Sequence, residues 1–564
     1  MDKRFFLALF LSLVVIAISH LLFPPPKPVT PPPARATVTI DSAKKDADLV
    51  GKGTTPSAVS AQATLQSTQQ APAKAATDSL QKTPVGEVTT VISPRATYSF
   101  NSIGAALTST VIKDYANRAP GGGRVVLAVP GGSLLSYQIV SASDTTSLGQ
   151  TPFTLVRSRS RDSDVLTYSA TVESMAVTIA YVIPADTLAS YSIHVTGTVS
   201  GLPTGQAYLL TALPKTLPSA EADTVADHRS LAYSFKPHRD HSASVLFGSL
   251  DPGEKRLETG PLDWIAVKNK YFVVGVLAPE KGSQLSEATL VGGPRTSKVA
   301  TSASATVVEE IRDGAFSFDV YAGPQESQRL IRMGRDFDHV NPYGWRFLQS
   351  VVHPIASEVI RALLWMHKSL RLSYGWVLVI LGVLIRLALW PLNQSTMRSS
   401  LKMQELQPKL AAAQKKYKDP VQQREAIMKV YHDAGVSPFA GLTGCLPALL
   451  PMPILFALFF VFQNTIEFRG VPFLWLSDIS IKDPLYILPL LMGASMYVLS
   501  WIGMRNAPPN PQAKMMGYMF PVMMTVVLLN MASGLNLYYT AQNIAALPQQ
   551  WLLARERAKA RPAG

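Results

Sequence analysis

Six stretches of this chain are apolar over lengths suited to crossing a bilayer: 5–23, 373–392, 445–462, 485–502, 515–530 and 535–553. A spanning helix needs about 20 mostly apolar residues to traverse a hydrocarbon core about 30 Å thick. Between the first two stretches the texture differs. Residues 24–88 are rich in Pro, Ala, Ser, Thr and Gln and open with PPPKPVTPPP, which predicts extended polyproline II followed by a disordered tether too poor in apolar residues to build a core. From 89 to 335, short β-branched and aromatic runs recur between Gly, Pro, Asp and Ser: RVVLAVP, SYQIVSA, FTLVRS, VLTYSATV, AVTIAYVI, YSIHVTGTV, YFVVGVL, TVVEEI and FSFDVYAG. Their close spacing predicts an antiparallel sandwich of about 250 residues.

From Val351 the period changes to helical. Ile355, Val359, Leu363 and Met366 fall on one stripe, interrupted by Glu358, Arg361 and Lys368. The pattern predicts an amphipathic helix lying in the membrane interface, within 341–372; a core helix of the β domain is the other reading. Between the second and third apolar stretches, 396–418 and 421–434 read as the two arms of an αα-hairpin joined at Asp419-Pro420. Leu401, Leu406, Leu410 and Tyr417 can face Ile427, Val430 and Tyr431.

Composition fits this split. The 564 residues are 47% hydrophobic and 16% charged, with a mean hydropathy of +0.15, so a membrane part is joined to a large soluble part. The formal charge of +14 points less to nucleic acid than to sidedness, because cytoplasmic loops collect Lys and Arg. The loops 393–444 and 504–514 and the tail 554–564 are basic, whereas 463–484 is balanced. Lys3 and Arg4 precede the first stretch, which reads as an uncleaved anchor rather than a signal peptide. The expected topology has six spans with both termini in the cytoplasm and the β domain (89–340) outside, followed by a helical core at 373–553.

Candidate chemistry is sparse. The single cysteine, Cys445, excludes a disulfide framework and a cysteine metal site. HRDH at 238–241 is the densest histidine group and reads as a surface loop, with no further ligands to complete a metal site. No GxxxxGK[ST] phosphate loop occurs, so no nucleotide, cofactor or metal is expected, and no catalytic constellation marks an enzyme.

The sharpest signal is a charge in the wrong place. Arg386 stands alone within WVLVILGVLIRLALWPL (376–392). A charge there is costly against lipid and normally faces a bundle interior or a wet cavity, although snorkelling to the interface is the plainer alternative. The spans hold no acidic partner for it. The last stretch instead offers Asn536, Thr540 and Asn543, spaced to share a helical face, with Tyr539 and Gln542 beside them. Together with Arg386 these predict a positively charged, hydrated groove; routine interhelical hydrogen bonding is the competing explanation. Nine methionines between Met492 and Met531 suit a surface that accepts varied apolar partners, or plain lipid-facing filler.

Several motifs resemble the YidC-type membrane protein insertases of Gram-negative bacteria: YGW before the amphipathic helix, VLIRLALWPLNQ, LQPKL, SPFAGLTGCLPALLPMPILFALF, DPLYILPLLMG and SGLNLYYTAQNI. The likeness runs from about Tyr343 to the C-terminus; the anchor, linker and β domain match the family layout with weaker motifs. It implies a polytopic α-helical membrane protein with a five-helix insertase core and an all-β periplasmic supersandwich domain. It also implies that Arg386, Tyr538, Tyr539 and Met452 belong to a substrate groove open to the cytoplasm and lipid. The implied partners are nascent membrane proteins, the bilayer, and the ribosome and Sec translocon, with no specific nucleic-acid sequence. Gly382 and Leu455 depart from the family pattern, where threonine and phenylalanine are common. A transporter of an anionic solute bound by Arg386, and a non-catalytic scaffold, are the alternatives; no internal repeat supports the first.

Overall fold

Alternation of apolar and polar side chains sets the β domain. In ATYSFN (Ala96–Asn101), Ala96, Tyr98 and Phe100 are buried and the residues between them are half-buried, the period of a strand with one covered face. The structure is a computed structural model. It describes residues 86–560 apart from 130, 142–143, 188–189, 204, 280–283, 296–298, 342, 344–348, 434–451, 506–510 and most of 392–418.

Among the described residues the domain has two antiparallel sheets. Four strands, β1 (Val88–Ile92), β2 (Ala96–Asn101), β3 (Ala106–Ala116) and β4 (Arg124–Ala128), pair in sequence order. The other sheet has 14 strands between Ser136 and Pro324. Lys255–Lys268 turns it: its first half pairs with Leu285–Gly292, its second with Ala232–Pro237 and Phe272–Leu277, across a register shift between Thr259 and Leu262. FVVGVL (Phe272–Leu277) is buried at every position, as a strand covered on both faces must be. Side chains from both sheets, including Tyr98, Phe100, Trp264 and Tyr321, share one core. Each of the nine predicted runs contains a strand, and the predicted sandwich of antiparallel sheets is present. Two short helices decorate it, α1 (Thr224–Arg229) and α2 (Ser327–Arg332).

The amphipathic helix α3 (Gln349–Leu370) buries Val352, Ala356, Val359, Ile360, Leu363 and Met366. That apolar face packs on the helical core rather than lying uncovered, while Glu358 and Arg361 pair on the exposed side at 2.7 Å. The core itself comprises α4 (Tyr374–Ala388), α6 (Met452–Asn464), α7 (Ile487–Met504), α8 (Pro511–Leu528) and α9 (Ser533–Ala560); between α4 and α6, α5 (Pro420–Asp433) is a helix where the second hairpin arm is expected. Most of the first arm, Cys445, Pro447, Pro451 and the N-terminal stretch lie outside the described residues.

Contacts order these helices. Leu378 meets Gly534 and Gly382 meets Tyr538 and Ala541, so α4 and α9 run the same way. Gly493 meets Thr525 and Met504 meets Gly517, so α7 and α8 run oppositely. The starts of α4, α7 and α9 and the end of α6 converge on the loop Thr465–Asp483, next to the β domain: Phe473 packs on Gly375 and Trp376, and Ser533 and Gly534 donate to Ile481 and Ile479 carbonyls.

The expected six spans are not recovered as six long apolar helices. One described helix, Ile487–Met504, is both long and apolar enough to cross a membrane. Tyr374–Ala388, Pro453–Asn464 and Gly517–Leu528 are shorter apolar helices. The last predicted span lies in a longer helix whose polar residues and basic end dilute its apolarity. Proline placement follows rule in part: Pro453 and Pro489 sit in first turns, where no backbone donor is lost, whereas Pro521 and Pro548 are internal.

Candidate functional site

Arg386 projects from the last turn of α4 and is half-buried. Its Nη2 donates to Gln549 Oε1 of α9 at 2.9 Å, and Gln549, 2% exposed, donates in turn to the Trp390 carbonyl at 3.3 Å. No carboxylate pairs with Arg386 among the described residues, and its Nε is buried without a hydrogen-bond partner there. Leu384 and Leu387 beside it are exposed. A full positive charge therefore rests against a single neutral amide at the edge of an apolar helix.

The polar stripe of α9 points elsewhere. Asn536 donates to the Leu528 carbonyl at the end of α8 at 3.1 Å. Thr540 donates to the Asn536 carbonyl of its own helix at 2.7 Å. Asn543 donates to Ser495 Oγ of α7 at 3.1 Å. Asn536 and Asn543 tie α9 to α8 and α7, while the Thr540 bond stays within α9; this differs from the expectation that the three and Arg386 form one lining. Counting about 100° per residue, Gln549 stands roughly 220° around α9 from Asn536. The stripe faces α7 and α8, and the arginine faces the opposite side.

Tyr538 lies on the arginine's side of α9, wholly buried, with its ring 5.2 Å from Tyr539 and 6.4 Å from Phe462. Both tyrosine hydroxyls are buried without a hydrogen-bond partner among the described residues. Met452 opens α6; its side chain is outside the described residues. Gln549 had no role in the sequence reading. Its signal was its position on the face of α9 that carries Tyr538 and Gln542.

Gly382 explains itself here. A β-carbon at this position would lie 3.0 Å from the Tyr538 carbonyl and 3.4 Å from Ala541 Cβ, so the absent side chain lets α4 approach α9. Gly382→Leu should push the helices apart and lower stability by about 1–3 kcal/mol, measured as a fall in thermal midpoint in lipid nanodiscs; an unchanged midpoint would contradict the close contact.

A β-rich domain joined to a bundle of apolar helices defines an inner-membrane protein with a periplasmic domain, once the comparisons are set beside it. The model for the YidC periplasmic domain matches residues 88–355, and that for the 60Kd inner membrane protein matches 365–560. The membrane protein insertase YidC of Chlorobium limicola (strain DSM 245 / NBRC 103803 / 6330) is 31% identical over 352 residues, 57% of this chain and 59% of the relative. That of Anaeromyxobacter dehalogenans (strain 2CP-1 / ATCC BAA-258) is 35% identical over 301 residues, 53% of each. The chain thus spans about half to six-tenths of the length of the curated relatives it matches. A crystal structure of an active YidC insertase with its first transmembrane domain resolved is 18% identical, covers 83% of this chain and 95% of that chain, and has a TM-score of 0.32. The chain belongs to the YidC family of membrane protein insertases. The solute-transporter alternative finds no support among these relatives.

Proposed function

We propose that this protein is a membrane protein insertase and folding chaperone. It accepts newly made transmembrane segments in a hydrophilic groove open to the cytoplasm and lipid, then releases them into the inner membrane. The observation that carries the reading is Arg386, a charge on an apolar helix that has only Gln549 as its partner among the described residues. A short polar or acidic outer segment would find a compensating charge there, and burial of the client's apolar segment in lipid would drive release, aided by the membrane potential on acidic residues. Arg386 with Tyr538, Tyr539 and Met452 forms the client-facing set in this reading. Asn536 and Asn543 fix the helices behind it, and Thr540 shares their face of α9. The proposed topology has six spans, both termini in the cytoplasm and the β domain in the periplasm. The hairpin and basic tail are the docking elements for the ribosome, and the β domain that for the Sec translocon. No reaction chemistry is assigned to the protein.

Photocrosslinkers at positions 386 and 549 should trap stalled nascent membrane proteins, and one at 543 should not. Equal trapping at 543, or none at 386, would overturn the groove as drawn.

A further inference from the structure

The β domain and the helical core meet at one turn of chain. After α6, Ile466–Phe468 form a single 3-10 turn. Ile466 is 1% exposed and belongs to the core of the β domain. Two residues on, Phe468 belongs to the core of the helices, with its ring 5.3 Å from Phe462 and 5.4 Å from Tyr374. Glu467 lies between these two anchors. Its Oε1 accepts from the Ser327 backbone N–H at the start of α2, at 3.1 Å, and its Oε2 is buried without a hydrogen-bond partner among the described residues.

We propose that this turn is a pH-sensitive pin that docks the β domain on the membrane helices and holds best when the Glu467 carboxyl is protonated. Among the described residues the surroundings supply no opposing charge. Arg469 is committed to Glu221 at 2.6 Å and to the carbonyls of Ala116 and Ala220. Arg118 pairs with Asp478, and Arg329 pairs with Glu326 at 3.0 Å. Glu326, which also accepts from the Tyr115 hydroxyl at 3.0 Å, adds a like charge beside Glu467. Tyr115, Tyr343 and Tyr374 complete the surroundings. Burial holds the phenols of Tyr115 and Tyr343 above their usual range, so neither ionises near neutrality. Beyond Tyr343 lie Asp338, pushed up by burial, and His353, pushed down to about 4 by burial and the neighbouring His339.

Burial pushes Glu467 up to about 7 from an ordinary 4.5, with Glu326 adding to the rise. The docked state therefore holds a proton that the undocked, solvated carboxyl gives up. Docking is at full strength below the ordinary carboxylate value, weakens as pH rises through about 7, and is level above that. Across that window the docking equilibrium should fall by roughly a hundredfold. The periplasm follows the outside medium, so such a pin would register external pH.

The test is hydrogen exchange on the full chain in nanodiscs, corrected for the intrinsic pH dependence of exchange. Protection of the 466–471 amides and of Ser327 N–H should drop about a hundredfold between pH 5 and pH 8, while amides of the central strand Phe272–Leu277 stay fully protected. Glu467→Gln keeps the acceptor for Ser327 but cannot ionise, so its protection should be flat with pH. Flat protection in the native chain, an equal drop in Glu467→Gln, or a matching loss in the central strand would each overturn the proposal. Should the variant fail to fold, the native chain with its internal strand control still decides.

Discussion

Replacing Arg386 with alanine should slow insertion of a short client bearing an acidic outer segment by about ten- to a hundredfold. The estimate is the worth of one hydrogen bond to a charged group, about 1.5–3 kcal/mol, applied to the rate. The fold should be almost indifferent, since among the described residues only Gln549 loses a donor and the variant removes a charge from an apolar helix. A client with a neutral outer segment should insert as before. Arg386→Lys keeps the charge without the planar fork and should recover part of the activity on the acidic client. Gln549→Ala frees the guanidinium but leaves its charge, so its effect should be smaller. The measurement is insertion into membranes depleted of the native protein, with both clients compared. Equal slowing of both would mean that Arg386 acts through packing and that its charge is incidental.

Arg469→Ala should be the most damaging single change at the domain junction. The side chain is 3% exposed and closes three bonds at once: Nε to Glu221 Oε1 at 2.6 Å, and Nη2 to the carbonyls of Ala116 and Ala220 at 2.9 and 2.8 Å. Truncating one partner of a buried pair leaves the other charge uncompensated, at a cost of about 3–5 kcal/mol. The pH dependence identifies the mechanism. Burial already raises the Glu221 carboxyl, and Arg469 is the main influence opposing that rise. Without the arginine the carboxyl takes up a proton more readily in the docked state, and neutralisation relieves the unpaired charge. The defect should therefore be smaller at pH 5 than at pH 8. Thermal unfolding followed by protease nicking of the junction would measure it. A defect that grew on acidification would show that the loss comes from packing instead. Arg469→Lys should fall between native and alanine, because an ammonium cannot reproduce the fork.

Strands were legible where alternation or β-branching was clean. Ser192–Ser200 and Ala303–Ile311 alternate almost without fault. Lys255–Lys268 was missed because it opens with the polar run KRLETG and carries Gly260-Pro261 before reaching its apolar half. The helical core was legible as segments but not as five equal spans, because apolarity reports burial in lipid or protein without distinguishing them. Arg386 could be found from one sequence, since an isolated charge in an apolar run is conspicuous at any register. Its surroundings could not. Sharing a face of α9 predicted that Asn536, Thr540 and Asn543 act together, but which neighbouring helix that face meets is a matter of packing. The junction was wholly hidden, as Arg469 and Glu221 are separated by 248 positions and each looks like an ordinary surface charge.

Ile466 gives the assembly an order in time. Residues 88–324 leave the ribosome before the turn after α6 has been made. Until then the interior of the sandwich lacks one of its own side chains. The outer domain can reach a nearly finished state early, but its final closure waits on the helices that follow, so maturation on one side of the membrane reports completion within it.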